Sequence, residues 1–278
     1  MSLYRKLKEV HNTRQKQRAY QCGLVPTMGA LHQGHLALIA QAKEENESVW
    51  VTIFVNPTQF NNPSDLDAYP ESLAADVEAI HGIDPNINVY APTVSEMYPE
   101  KAEASTFSFN GLDKVMEGAD RPGHFNGVLT IVSKLFEAIK PHRAYFGEKD
   151  FQQLQIIKNW VDKSAIPTTI VSCPIVREAN GLAMSSRNVL LSKAVRAEAG
   201  FIFETLKYCA GRGMKKTDIY THIANAFAKH PKFTLNYAMC VDENTLQEVF
   251  EVNPHKKQRI FVATSVEGVR LIDNIALN

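Results

Sequence analysis

The sequence predicts an α/β protein: a doubly wound, Rossmann-like parallel sheet followed by a second, smaller α+β C-terminal domain. Three observations lead there. Strand-like and helix-like segments alternate through the first two-thirds of the 278 residues. The run Val49 to Val55 is apolar at every other position on both faces, as in a strand covered by helices on each side. After about Arg187 the order changes, with helical patterns first and strand patterns after them.

Taken in order, residues 21–25 read as a strand, 34–46 as a helix and 48–55 as a strand, which together make a βαβ unit. Residues 123–140 then read as a helix, 143–146 as a short strand and 150–163 as a helix with Phe151, Leu154, Ile157 and Val161 along one stripe. Beyond them, 192–209 and 217–230 read as helices, and 233–241, 259–264 and 269–272 as strands. The change of texture lies near 176–190, giving a nucleotide-binding domain over residues 1–180 and a C-terminal lid over 181–278.

Composition narrows the function classes. Thirty basic residues balance thirty acidic ones, so there is no long-range pull toward nucleic acid or an anionic membrane, and any anion site must be local. No apolar run approaches the roughly twenty residues of a membrane helix. Cys22, Cys173, Cys209 and Cys240 lack Cys-x-x-Cys spacing, and no signal sequence is evident, so the expectation is a cytoplasmic protein with reduced thiols.

Chemistry concentrates in a few stretches. Met28-Gly29-Ala30-Leu31-His32-Gln33-Gly34-His35 lies between the first strand and the first helix. At the carboxyl end of a parallel strand, the next helix offers free amides and a positive dipole to a phosphate, and glycines let the backbone approach it. His32 and His35 flank that position as donors to phosphate oxygens, His35 being the lead catalytic residue and a candidate general acid. A helix cap and a metal site are the bland alternatives for these histidines, and no third ligand stands at matching spacing. Met184-Ser185-Ser186-Arg187 forms a small-residue loop suited to a phosphate clamp, Arg187 gripping two oxygens at once. Gly147-Glu148-Lys149-Asp150 opens another helix at a strand's carboxyl end, with Lys149 suited to phosphate and Asp150 and Gly147 to ribose hydroxyls. A solvated, charged helix start is the competing explanation there. Gln59 and Gln153 can project into the same crevice, each amide carrying a donor and an acceptor for an uncharged contact with a substrate.

His-x-Gly-His after the first strand, paired with a Met-Ser loop bearing an arginine, resembles the HIGH and KMSKS elements of class I aminoacyl-tRNA synthetases and related nucleotidyltransferases. A narrower match covers about residues 23–275. Val25 to His35, Phe54-Val55-Asn56-Pro57-Thr58-Gln59-Phe60, Asp67-Ala68-Tyr69-Pro70, Arg121-Pro122-Gly123-His124-Phe125, Tyr145 to Leu154 and Gly181 to Asn188 together resemble the pantothenate synthetase family. The resemblance implies ATP and Mg²⁺, with pantoate and β-alanine as substrates and a homodimer as the assembly. It also implies pantoate on Gln59 and Gln153 with Asn56 and Tyr69 beside them, adenine against the Val176 backbone, and Asp76 near the metal. Two departures stand out: Glu71-Ser72 where an arginine is frequent, and Glu178-Ala179-Asn180-Gly181 in place of a Pro-Asp-Gly turn. The first bears on charge near the β-alanine entrance and the second on how the Met184 loop hinges.

The expected chemistry is attack of pantoate's carboxylate on the α-phosphorus, loss of pyrophosphate, then attack of the β-alanine amine on the mixed anhydride. Two rivals remain open at this stage. A nucleotidyltransferase for another acceptor, including a tRNA-charging enzyme, would share the signature, although no basic face or anticodon-binding region is evident. A nucleotide-sensing module would bind ATP without exchanging pyrophosphate.

Overall fold

The computed structural model describes residues 2–17 and 20–277. Its first sheet has six parallel strands, β1 (Leu3–Tyr4), β2 (Cys22–Thr27), β3 (Ser48–Ile53), β4 (Asn88–Tyr90), β5 (Arg143–Gly147) and β6 (Thr169–Cys173), in the order β1-β4-β3-β2-β5-β6. Every residue of β3 is buried. Val49, Val51 and Ile53 belong to one apolar cluster with Ile39 and Val77, whereas Trp50 belongs to another with Leu129 and Val132. The period of two thus feeds two layers of helices, Gln33–Glu45 and Leu73–Ile83 on one face and His124–Ile139 on the other. The winding reverses between β2 and β5, which are hydrogen-bonded neighbours. Their carboxyl ends therefore open a crevice at the switch point.

The second lobe is an antiparallel sheet of β7 (Thr234–Asp242), β8 (Gln258–Val266) and β9 (Val269–Ala276) in that order. Helices Phe201–Cys209 and Lys216–Ala228 cover one face through Leu206, Ile219, Ile223 and Phe227 against Val262 and Leu271. Toward the first lobe, Phe261 lies with its ring centroid 5.9 Å from that of Phe151.

Several elements differ from expectation. Strand β1 and the helix Leu7–Lys16 were not anticipated, because two residues carry no alternation and Val10 is the helix's one buried side chain; pairing of Leu3 with Val89 and Tyr4 with Tyr90 creates them. The helix expected over 192–209 is two, Lys193–Glu198 and Phe201–Cys209. Between them lies Gly200, where a Cβ would stand 2.2 Å from the Asn180 carbonyl oxygen, so the break admits the turn that carries the Met184 loop. Strands β8 and β9 run beyond the expected 259–264 and 269–272, and among the added residues Gln258, Asp273 and Asn274 are polar yet each at most 4% exposed.

Candidate active site

The carboxyl ends of β2 and β5 line a cleft of about 260 Å³. After Thr27 the chain turns through left-handed Gly29 (φ 84°) and Ala30 (φ 48°) into the helix Gln33–Glu45. Asp76, buried on the Leu73–Ile83 helix, holds this turn. Its carboxylate accepts from the Ala30 and Leu31 amides at 2.9 and 2.8 Å and from the Ser72 hydroxyl at 3.2 Å. The resemblance placed Asp76 near the metal. The structure instead puts it outside the cleft lining with both oxygens taken, so its work is to shape the turn. Each charge-assisted bond of this kind contributes about 1.5–3 kcal/mol. Asp76→Asn, which turns one acceptor into a donor facing an amide, is expected to lower stability by about 2 kcal/mol, read as a lower urea midpoint at unchanged m value.

His32 caps the helix, its Nδ1 accepting from the Gly34 amide at 3.1 Å, and His35 Nδ1 accepts from the His32 amide at 3.4 Å. Both rings therefore carry their proton on Nε2, and they stack at 4.1 Å between centroids. Burial, reinforced by Lys149, lowers the His32 pKa to about 4; burial, then His32 and Lys149, lowers that of His35 to about 3. At neutral pH both are neutral imidazoles. Nε2–H of each ring is left as a donor, and in the ligand-free protein neither ring carries the proton that a general acid would give. A negative charge brought beside the two rings would raise both values.

The Met184 loop meets this turn directly. Ser186 Oγ donates to the Ala30 carbonyl at 3.0 Å, across 156 residues of sequence. The loop is hinged by a turn closed from Gly181 N to Glu178 O at 2.8 Å. The Glu178 carboxylate accepts from Asn188 at 2.7 Å and Arg196 at 2.8 Å, so the departure from the Pro-Asp-Gly pattern serves as an anchor. The Val176 carbonyl accepts the Met184 amide at 3.0 Å. Arg187 does not extend into the cleft unopposed: its Nε and Nη2 donate to the two Asp65 oxygens at 3.0 and 2.9 Å, and its guanidinium lies 5.1 Å from the Tyr69 ring centroid.

Met28, His32, Gly34, His35, Gly147, Lys149, Asp150, Val176, Met184, Ser185, Ser186 and Arg187 all line the cleft, as do Gln59, Gln153, Asn56 and Tyr69. Within the anticipated nucleotide set, Gly29, Ala30, Leu31, Gln33 and Glu148 do not. Gly29 to Leu31 form the braced turn behind it, Gln33 is exposed, and the Glu148 carboxylate lies 3.4 Å from Arg259 of the second lobe. Asn56 also changes role. Its amide is saturated, accepting from Tyr98 (2.7 Å) and Thr58 (3.1 Å) and donating to Gly127 O (3.0 Å) and Gln59 Oε1 (3.3 Å), so it orients Gln59 rather than a substrate. Gln153 makes no side-chain hydrogen bond among the described residues, leaving its amide for a ligand.

Arg121, His124 and Asp65 were assigned no role from sequence. His124 Nδ1 donates to the Gln59 carbonyl at 2.8 Å, leaving Nε2 as an acceptor 3.4 Å from Arg121 Nη1. Burial, then Arg121, lowers its pKa to about 4. Arg-Pro-Gly-His at a helix start was the available signal: two basic side chains three apart reach the same crevice that Gln59 enters.

Residues 2–276 match the family model described as Pantoate-beta-alanine ligase. The chain belongs to that family. Pantothenate synthetase of Christiangramia forsetii is 49% identical over 259 residues, covering 92% of this chain and 91% of the relative; that of Bacteroides fragilis is 49% identical over 257 residues, covering 91% and 90%. The crystal structure of pantothenate synthetase from Thermus thermophilus superposes with a TM-score of 0.92 at 37% identity, over 100% of this chain and 99% of that one. The ligase of Francisella tularensis, solved with β-γ ATP and β-alanine, gives a TM-score of 0.83 at 36% identity over 99% and 97%. As a family member, this chain is a ligase that condenses pantoate with β-alanine at the expense of ATP.

Proposed function

We propose that the cleft runs both half-reactions and that its residues divide as follows. ATP lies with its phosphates between the turn at His32 and His35 and the loop at Ser185 to Arg187, with Lys149 reaching the α- and β-phosphates from the other strand and adenine against the Val176 amide. Pantoate lies on Gln59 and Gln153, its carboxylate oxygen attacking the α-phosphorus in line as pyrophosphate leaves. The amine of β-alanine then forms the amide bond to the acyl carbon and AMP leaves. The difficulty is electrostatic, because carboxylate and triphosphate repel and charge grows on the phosphoryl oxygens. Two neutral Nε2–H donors, Lys149 and Arg187 offset it in a site that needs little rearrangement.

The observation that supports this reading is the hydrogen bond from Ser186 to Ala30, since it joins the His32–His35 turn and the Met184 loop at one cleft. Among the described residues there is no cluster of three or more His, Cys, Asp or Glu side chains able to hold a metal. We assign Mg²⁺ to the triphosphate with which it enters. A homodimer and a cytoplasmic location belong to this reading on the family's pattern; among the described residues no helix is long and apolar enough to cross a membrane.

Pantoate-dependent ATP:pyrophosphate exchange, followed by AMP release only on addition of β-alanine, tests the sequence of steps; exchange without pantoate, or none at all, defeats it. Within it, Gln153→Ala is expected to weaken pantoate about tenfold while ATP changes less than about twofold, the scale of one to two lost neutral hydrogen bonds. Equal losses for both ligands in a titration would remove Gln153 from the pantoate site.

A further inference from the structure

Two adjacent residues of β9 reach the nucleotide site from behind. Asp273 accepts both Nη groups of Arg177, at 2.6 and 2.9 Å, beside Val176 on one wall of the cleft. Asn274 reaches the other wall, where Nδ2 donates to the carbonyls of Glu148 and Lys149, each at 3.0 Å. Its Oδ1 accepts from Arg259 Nη1 at 2.6 Å, which fixes the amide's orientation, since a flipped amide would set its NH₂ against a guanidinium. Arg259 is in turn held by Glu243 at 2.8 Å and lies 4.0 Å above the Phe151 ring centroid. Asn274 is 1% exposed and Arg259 7%.

The segment so gripped is a single 3-10 turn, Glu148–Asp150, between β5 and the helix Phe151–Lys163. One such turn has poor internal hydrogen bonds and does not hold its peptide planes unaided. Its two carbonyls point to Asn274 while the Lys149 side chain enters the cleft. We infer that Asn274 is a positioning residue for adenylate formation: from the second lobe it fixes the turn that aims Lys149 at the phosphates. The inference rests on the assignment of Lys149 to phosphate given above. Its consequence is that the C-terminal sheet contributes to the first half-reaction through the geometry of one lysine, in addition to enclosing the site.

Asn274→Asp keeps the acceptor for Arg259 and sets an oxygen against the two carbonyls. Asn274→Ala removes both bonds and replaces it where the Asp variant does not fold, folding being checked by the thermal unfolding transition. The expected result is a fall of about 10- to 100-fold in kcat for pyrophosphate exchange, the scale of misplacing a group by about an ångström. The pantoate KM should be unchanged, and AMP release from preformed pantoyl adenylate and β-alanine should change by less than about threefold. In a Lys149→Ala background, the same substitution should cost nothing further, because effects transmitted through one residue are not additive. Equal losses in both half-reactions, or additive losses in the double variant, overturn the inference while leaving the Lys149 assignment standing. A Lys149→Ala protein with undiminished exchange overturns both.

Discussion

His35→Ala is expected to slow adenylate formation by about 10²- to 10³-fold, the loss that follows removal of one donor aimed at charge developing in a transition state. The ring's protonation decides what restores it. With Nδ1 occupied by the His32 amide and the pKa held near 3 by burial, Nε2–H acts as a neutral donor. His35→Gln, whose amide N–H reaches a similar position, should then recover a substantial part of the rate. Single-turnover adenylation in the two variants measures this, and a Gln variant as slow as the Ala variant would mean that the imidazole moves a proton. A stability effect accompanies it. The unfolded chain takes up protons near 6.5 that the folded rings of His32, His35 and His124 refuse until about 3 to 4, so the ligand-free protein loses stability as pH falls from about 6.5 toward 4. The His35→Gln protein should lose less over that window in urea titrations at successive pH values.

Arg187→Ala is expected to reduce adenylate formation by about 10³-fold, in the range of losses for an arginine that neutralises a transferring phosphoryl group. In the ligand-free structure this arginine is held by Asp65, which competes with the nucleotide for it. The pair is partly exposed, Arg187 25% and Asp65 39%, so it is worth at most about 1 kcal/mol and a multiply charged triphosphate displaces it. Asp65→Asn should therefore tighten ATP by up to about fivefold, since a partner that must be left behind has been removed. Single-turnover adenylation reads Arg187→Ala, and calorimetric titration with a non-hydrolysable ATP analogue in the presence of Mg²⁺ reads Asp65→Asn. Weaker ATP binding by Asp65→Asn would show instead that Asp65 orders the Arg187 loop for the nucleotide.

Much of this protein was written in local pattern. The alternation of Val49, Trp50 and Val51 announced a strand buried on both faces, and His32-x-Gly34-His35 after the first strand announced an anion site at a helix start, because side-chain period and chain position are local properties. The pairing of that motif with Met184 to Arg187 carried the family likeness. Local pattern does not state which partners saturate a polar group. Asp76 and Asn56 read as ligand residues, yet one holds the Ala30 and Leu31 amides outside the cleft lining and the other, with its amide fully used, holds Gln59 and Gly127. Nor does it disclose protonation: His32 and His35 look like cations in sequence and are neutral because the fold removes them from water beside Lys149. The same blindness shortened β8 and β9, whose polar residues Gln258, Asp273 and Asn274 are buried because each finds its partner elsewhere in the fold. Sequence by itself determined β2, β3 and β5, the helices beside them and the chemical types brought to the cleft; only tertiary structure decided which polar atoms remain unspent for a substrate, since a hydrogen bond or a desolvated charge depends on contacts across a hundred residues and more.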